Sequence, residues 1–470
     1  MNNRLKQDRL KTDCHASREF LLNTPIVPEY RIQRHPPVKT QVQRLKSDFP
    51  GMKDDKTFVT DCAQKLKDQE LKDQKLKDQK LKNKVSFGAM AIKIDALEPK
   101  TTPMDAGIED DGWLCLAGVL DEIAAANKGR WGIVYKGILG LFIPGQDESG
   151  YKTVAEAIRS GFGRKNQNTI SIGIAGFPSN DFPRDRIMDN ALKALDHAAF
   201  LGPDTTVGFD AVSLNISGDR LYAQGDLQGS INEFQHALRL DPSNVNVRNS
   251  LGVCYGVLKQ YPDSLSEFEA AIRSAPGEVM AIYNYGLVKM LTHHPNQALD
   301  HFLQAERIRD DIFEVTFHIG KAYLQLEQPE KGLEYFIKAE SLNSKTAGVF
   351  RLMGRCHAIL GARDQAIAAY SQAVRINPND AEALSDLGRQ YDLRDKNLEI
   401  ATLFCERSTQ IDPENGRFHH RLGRLYLKAE KLSRALEAFE KAAALGYDSQ
   451  TAINEVRGMI AGNTGEVSSM

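Results

Sequence analysis

The sequence has no apolar run near the roughly 20 residues that cross a bilayer. Its longest, Ile138 to Pro144 within GILGLFIPG, falls far short, so no membrane span is expected. The N-terminal stretch MNNRLKQDRLKTDCHASREF also lacks an apolar segment of signal-peptide length. Cysteine is sparse. Cys14, Cys62, Cys115, Cys254, Cys356 and Cys405 form no C-x-x-C pair, so neither a zinc ribbon nor a redox motif is suggested. Scattered thiols fit a reducing compartment, and the chain reads as cytoplasmic. An excess of charge of either sign is missing too: 60 Lys+Arg stand against 62 Asp+Glu, a net −2. That balance argues against a protein basic throughout, and no nucleic-acid partner is expected. With 41% hydrophobic and 26% charged residues in 470, the composition excludes a collagen, a mucin stalk or a wholly disordered chain, and the length suggests about three domains.

The near-zero charge is an average over unlike parts. Residues 1–84 carry about +8 and the remainder about −10. Pro25, Pro28, Pro36 and Pro37 interrupt the first segment, which ends in the five-residue repeat KLKDQ-ELKDQ-KLKDQ-KLKNK. Its leucines, Leu66, Leu71, Leu76 and Leu81, recur every fifth residue. At about 100° per helical residue each step rotates roughly 140°, so they build no apolar stripe, and the period is not that of a coiled coil. The expectation is a basic, low-complexity, largely disordered segment over 1–84, serving as a solvated tether or as an arm that touches acidic surfaces or membrane.

Residues 85–210 read as a compact α+β unit. AMAIKI is strand-like, and GWLCLAGVLDEIAAAN places Leu116, Val119, Leu120 and Ile123 at helical spacing. WGIVYK and ILGLFI, joined through Gly137, predict a β-hairpin. YKTVAEAIRSGF reads as a helix, NTISIGIAGF as a strand, DRIMDNALKALDHAAF as a helix closed by Gly202, and TTVGFD as a last strand. The predicted order is β-α-β-β-α-β-α-β, with antiparallel pairing in the middle.

From residue 211 the chain repeats itself. Gly218, Gly252, Gly286, Gly320, Gly354, Gly388 and Gly423 are spaced by 34 residues, the last step by 35. Phe234, Phe268, Phe302, Phe336, Tyr370, Cys405 and Phe439 form a second column. Ala237, Ala271, Ala305, Ala339, Ala373, Ser408 and Ala442 form a third. Pro242, Pro276, Pro378 and Pro413 close four of the units. A period of 34 with G-x-x-Y, then A-x-x-x-F-x-x-A, then proline resembles the tetratricopeptide repeat. The resemblance implies seven helix pairs over 211–449, starting near 211, 245, 279, 313, 347, 381 and 416, and stacked as an all-α solenoid. No single pair can bury its apolar face, but a stack can. SQTAINEVRGMIAG after Tyr447 predicts a capping helix over 450–461, followed by a disordered tail over 462–470.

In the α+β part, TISIGIAGFP followed by ALKALDHAAFLGPDTTVGFD resembles the C-terminal half of a GGDEF domain, the nucleotidyl-cyclase-like diguanylate cyclase module. On that register the family's metal-binding acidic residue falls on Ile138 and its glycines on Tyr135 and Lys136. Its first-strand D-x-D becomes Lys93-Ile94-Asp95. Two Mg²⁺ ions bridging phosphate oxygens need hard carboxylate ligands, which an ammonium and a branched alkyl group do not supply. The resemblance therefore implies a degenerate domain with no catalytic residue, no metal and no cofactor, retained as a structural module or as a binder of GTP or cyclic di-GMP. The adjacent pairs His293-His294 and His419-His420 diverge by about 100° on a helix and do not chelate one ion. Cys254 and Cys356 read as packing residues.

The repeat resemblance also implies a working surface, a concave groove floored by positions 2, 5, 9 and 12 of each repeat. Position 5 reads Asn215, Asn249, Tyr283, Phe317, Arg351, Ser385 and His420. Position 9 reads Asp219, Val253, Leu287, Lys321, Arg355, Arg389 and Arg424. The floor passes from polar through apolar to basic. The expected partner is a protein or peptide, acidic or with a free C-terminal carboxylate, held by Asn215, Asn249, Tyr283, Leu287, Phe317, Arg351, Arg355, Arg389, His420 and Arg424. The competing reading is that Glu382 and Asp392 neutralise these arginines within the solenoid. Two functions follow: a non-catalytic interaction scaffold, or a nucleotide-responsive signalling regulator in a bacterial context.

Overall fold

The computed structural model describes residues 39–49, 52, 58–59, 62, 64, 86–95, 106–135, 137–178, 182–393 and 397–467. The KLKDQ repeat and residues 468–470 lie outside the described residues. The chain divides into two compact units, Leu22–Pro276 and a second containing Gly277–Met470.

The first unit contains α1 (Lys39–Asp48), β1 (Phe87–Ile94), α2 (Ala106–Ala126), β2 (Arg130–Tyr135), β3 (Ile138–Pro144), α3 (Glu148–Gly163), β4 (Ile170–Phe177), α4 (Ile187–Leu201) and β5 (Thr206–Gly208). The elements and their order over 85–210 are those the sequence predicts. The five strands lie in the order β2-β3-β1-β4-β5. β1 is central and antiparallel to both β3 and β4, and β4 runs parallel to β5. The period of two in β1 divides its side chains between two cores. Met90, Ile92 and Ile94 face α2 and α3 through Leu116, Leu120 and Ile158. Phe87, Ala89 and Ala91 face α4 through Ala191, Leu192 and Leu195. Helix α4 lies so close to the sheet that a Cβ on Gly173 would fall 2.1 Å from the Ala191 carbonyl oxygen.

Within 1–84, some of the described residues pack on the sheet. Leu45 and Met52 are buried in the α2–α3 core, where Phe49 packs edge-on against Trp131 at 5.5 Å. Phe58 and Cys62 are buried in the opposite core, with Phe58 edge-on to Phe142 at 5.6 Å. Met52 and Phe58 therefore lie in cores on opposite faces of the sheet. Both cores include residues of β2, which has a single strand neighbour among the described residues: Trp131 and Ile133 lie in one core and Val134 in the other. Leu45, Phe49, Met52, Phe58 and Cys62 thus form a clasp on the two faces of the sheet. The few apolar residues of the local sequence carry no periodic signal. Only the cores they enter reveal them.

The unit continues into the first two helix pairs, α5 (Ala211–Ala223) with α6 (Leu227–Leu240) and α7 (Val245–Val257) with α8 (Tyr261–Ser274). Helix α4 joins them to the sheet. Lys193 pairs with Glu233 at 2.7 Å and Asp196 with Arg220 at 2.5 Å, while His197 sits 3.4 Å from Ser213 Oγ. The compact unit thus extends through the second repeat, to Pro276.

The second unit holds α9 (Val279–Leu291), α10 (Pro295–Ile308), α11 (Phe313–Gln325), α12 (Pro329–Leu342), α13 (Ala347–Ile359), α14 (Arg363–Ile376), α15 (Ala381–Asp392), α16 (Leu398–Ile411), α17 (Gly416–Lys428), α18 (Leu432–Ala444) and α19 (Gln450–Val467). Each helix pair is closed by the same contact. The column glycine of the first helix faces the column ring of the second, so that a Cβ on Gly320 would meet Phe336 at 2.7 Å and one on Gly423 would meet Phe439 at 2.8 Å. In the sixth repeat the Sγ of Cys405 takes the ring's place, 2.6 Å from a Cβ on Gly388. Pro378 and Pro413 each follow a helix end by two residues, where a missing N–H costs nothing. Ile453 and Val456 of α19 cover Ala435 and Phe439, as a cap should. The cap runs to Val467, six residues past the predicted end at 461, so the tail assigned to 462–470 begins as helix.

Candidate functional site

The first helices of the second unit carry most of the residues that the sequence singles out, and adjacent ones lie side by side. Their closeness decides which side chains are available. Tyr283 at position 5 of α9 is fully buried: its hydroxyl lies 3.0 Å from His318 Nδ1 on α11, and its ring packs against Phe302 at 5.5 Å. Leu287 is 1% exposed. In the first unit, Asn249 is fully buried and Asn215 is 5% exposed, with its amide donating to Asp219 at 3.2 Å. These four predicted partner-binding residues are therefore internal packing residues. For Tyr283 the reason is geometric: the next first helix brings His318 to its hydroxyl.

His318, which the sequence reading did not single out, is the polar centre of that seam. Its Nδ1 lies 2.9 Å from the Glu314 carbonyl oxygen and its Nε2 3.4 Å from Lys321 Nζ. The arrangement fits a neutral ring whose Nδ1–H donates to the carbonyl and whose Nε2 accepts from the ammonium. Burial, reinforced by the neighbouring Lys321 charge, pushes its pKa down to about 3. Phe317 is half-buried, stacked on Phe313 at 5.6 Å and edge-on to His318.

At the basic end the arginines divide into two groups. Arg351 is tied to Asp380 at 3.2 Å and to Glu382. Glu382 also holds Arg417 at 3.5 Å. Arg421 takes Asp386 at 2.9 Å and Lys428 takes Asp392 at 2.6 Å. The neutralisation alternative therefore holds for Arg351 through Glu382, whereas Asp392 serves a lysine. Arg355, Arg389 and Arg424 are different: all three are exposed, and among the described residues their side chains form no ion pair or hydrogen bond. Together with Asp380, helices α13, α15 and α17 present seven cations against four carboxylates, and all four carboxylates are engaged. The surplus is these three arginines, one per repeat and all at position 9. His420 is half-buried, 2.8 Å from Ser449 Oγ, with a pKa lowered by burial and by the Arg424 charge. It braces the capping segment.

The α+β part presents a different picture. Asp95 spends both oxygens internally: Oδ1 accepts from Ser171 at 2.5 Å, and Oδ2 from Thr169 at 2.7 Å and the Asp204 N–H at 2.8 Å. It pins the end of β1 to β4 and to the loop before β5. Ile138 is buried in the core. No group of three or more His, Cys, Asp or Glu among the described residues could hold a metal ion. A cavity of about 750 Å³ opens at the opposite end of the sheet, between Ser86, Tyr151, Phe177 and Phe209. Its carboxylates are occupied: Asp147 caps α3 through the Gly150 N–H at 2.8 Å, and Glu148 pairs with Lys152 at 2.8 Å.

Family comparison decides the repeat region. One profile described as TPR repeat matches residues 218–256 and 354–391, and a second, tetratricopeptide repeat, matches 314–346 and 416–445. The chain carries tetratricopeptide repeats. Solved structures similar to it include YrrB, described as a TPR protein with an unusual peptide-binding site, at 22% identity, covering 42% of this chain and 97% of that one, with a TM-score of 0.36. A tetratricopeptide repeat protein from Parabacteroides merdae is similar at 18% identity over 52% of this chain and 96% of that one, with a TM-score of 0.42. MamA from Desulfovibrio magneticus is similar at 22% identity over 36% and 94%, with a TM-score of 0.33. No curated protein matches the chain. Among the described residues, no helix is long and apolar enough to cross a membrane.

Proposed function

We propose that the chain is a non-catalytic scaffold whose tetratricopeptide repeats hold an acidic protein segment, or one ending in a free carboxylate, along the row Arg355, Arg389 and Arg424. Tetratricopeptide repeats generally serve protein interaction. The observation that carries the reading is the charge surplus on α13, α15 and α17. Every carboxylate there already has a cation, and three exposed guanidinium groups have no carboxylate partner among the described residues. Guanidinium forks pair with carboxylates in two parallel hydrogen bonds, which gives such a row both affinity and orientation. The free cysteines, with Cys254, Cys356 and Cys405 all buried, fit a reducing compartment such as the cytoplasm.

The test is a peptide array probed with the full chain and with the Arg355→Glu/Arg389→Glu double variant. Acidic peptides should bind the wild-type chain and lose at least tenfold in affinity to the variant. Equal binding by both proteins, or a preference for basic peptides, would sink the reading.

A further inference from the structure

We infer that the segment held by this row carries bulky aliphatic side chains beside its acidic groups. The inference rests on the acidic-segment reading above and adds the apolar contacts that reading leaves open.

The pairing is set within single helices, where side chains four residues apart share a face. One turn beyond Arg355 on α13 stands Ile359, which is 57% exposed. One turn beyond Arg389 on α15 stands Leu393, which is 44% exposed. Leu393 keeps helical backbone angles, and its N–H donates to the Arg389 carbonyl at 3.1 Å, so the spacing holds there too. Each of these two helices therefore shows solvent a guanidinium and an aliphatic group on one face. The ends of the two helices are also linked. Leu360, 39% exposed, follows Ile359, and Arg363 just beyond it donates to the Leu393 carbonyl at 3.4 Å. Three exposed aliphatic side chains thus stand at two linked helix ends, one turn from two arginines that have no carboxylate partner among the described residues.

An arginine row alone suits any polyanion. With these neighbours it suits a ligand that is acidic and apolar at once. Its carboxylates pair with the guanidinium forks, and its aliphatic side chains leave water against Ile359, Leu360 and Leu393. The apolar part is confined to the fifth and sixth repeats. At the position matching Ile359 and Leu393, α11 carries Gln325, and α17 carries Lys428, held by Asp392 at 2.6 Å. Helix α15 itself bears Glu382, Asp386 and Asp392 among the cations. A narrow surface with interspersed carboxylates favours the discrete side chains of a peptide over the continuous negative potential of an anionic membrane.

Fluorescence anisotropy on the full chain tests this with two labelled peptides of equal length and charge, one with leucine and one with serine between its glutamates. The leucine peptide should bind about tenfold tighter than the serine peptide. In Ile359→Ser/Leu393→Ser, with Ile359→Ala/Leu393→Ala as the milder variant, the two affinities should come within about twofold. Melting curves matching the wild-type chain show that these exposed substitutions leave the fold intact. Equal affinity of the two peptides for the wild-type chain overturns the aliphatic pairing and leaves the acidic-segment reading in place. A leucine preference that survives in both variants also overturns the pairing. Failure of both peptides to bind, or binding that Arg355→Glu/Arg389→Glu does not weaken, overturns both readings. Vesicles of phosphatidylcholine with phosphatidylserine serve as competitor, and displacement of the leucine peptide by them assigns the surface to a membrane and overturns the inference.

Discussion

The ring of Phe58 lies directly over Gly140, so close that a Cβ on that glycine would fall 2.8 Å from the ring's Cε1. A residue in the basic N-terminal region thereby closes the face of a strand 82 positions further along the chain. The contact makes the clasp part of the folded unit.

Phe58→Ala should therefore destabilise the α+β unit, by about 3–5 kcal/mol for loss of a fully buried ring. Gly140→Ala should cost about 1–3 kcal/mol through overpacking, since Val134 and Met188 crowd the same point. Thermal or denaturant unfolding of the full chain, followed by Trp113 and Trp131 fluorescence, checks both. An unchanged transition for Phe58→Ala would return the segment to the status of a tether.

Acid should weaken the second unit through His318. Its pKa is about 3 in the folded chain against 6.5 for the free side chain, so below pH 6.5 the unfolded state binds a proton that the folded state refuses. The stability this ring contributes is complete above pH 6.5 and is lost as the pH falls towards 3. Between pH 7 and pH 5 the loss amounts to about 2 kcal/mol. Melting curves at both pH values should show His318→Gln losing less on acidification than the wild-type chain. Parallel losses would remove His318 as the cause.

Glu382 makes a sharper test of the arginine row than any arginine does. It holds both Arg351 and Arg417, and Glu382→Gln would release Arg417 and leave Arg351 to Asp380 alone. Acidic peptides should then bind up to about fivefold tighter, the scale of one exposed ion pair. If the scaffold reading is wrong, the variant changes peptide binding no more than a distant surface substitution does.

The sequence alone determined the repeats, and the reason is that their physics is local and periodic. Each column glycine answers a ring about 16 residues later within one helix pair, so the pattern survives in the linear order of residues such as Gly320 and Phe336. The strand and helix order of 85–210 was legible for the same reason, since periods of two and 3.6 are written in neighbouring residues. The tertiary structure decided what faces what. Position 5 looked like a binding floor in the sequence, yet Tyr283 became core because the next first helix brings His318 to its hydroxyl. Arg351, Arg355, Arg389 and Arg424 looked alike in the linear pattern, and only the tertiary structure set Arg351, with Asp380 and Glu382 in reach, apart from the other three. The clasp left no periodic trace, because Leu45, Met52, Phe58 and Cys62 answer to two faces of a distant sheet rather than to one another.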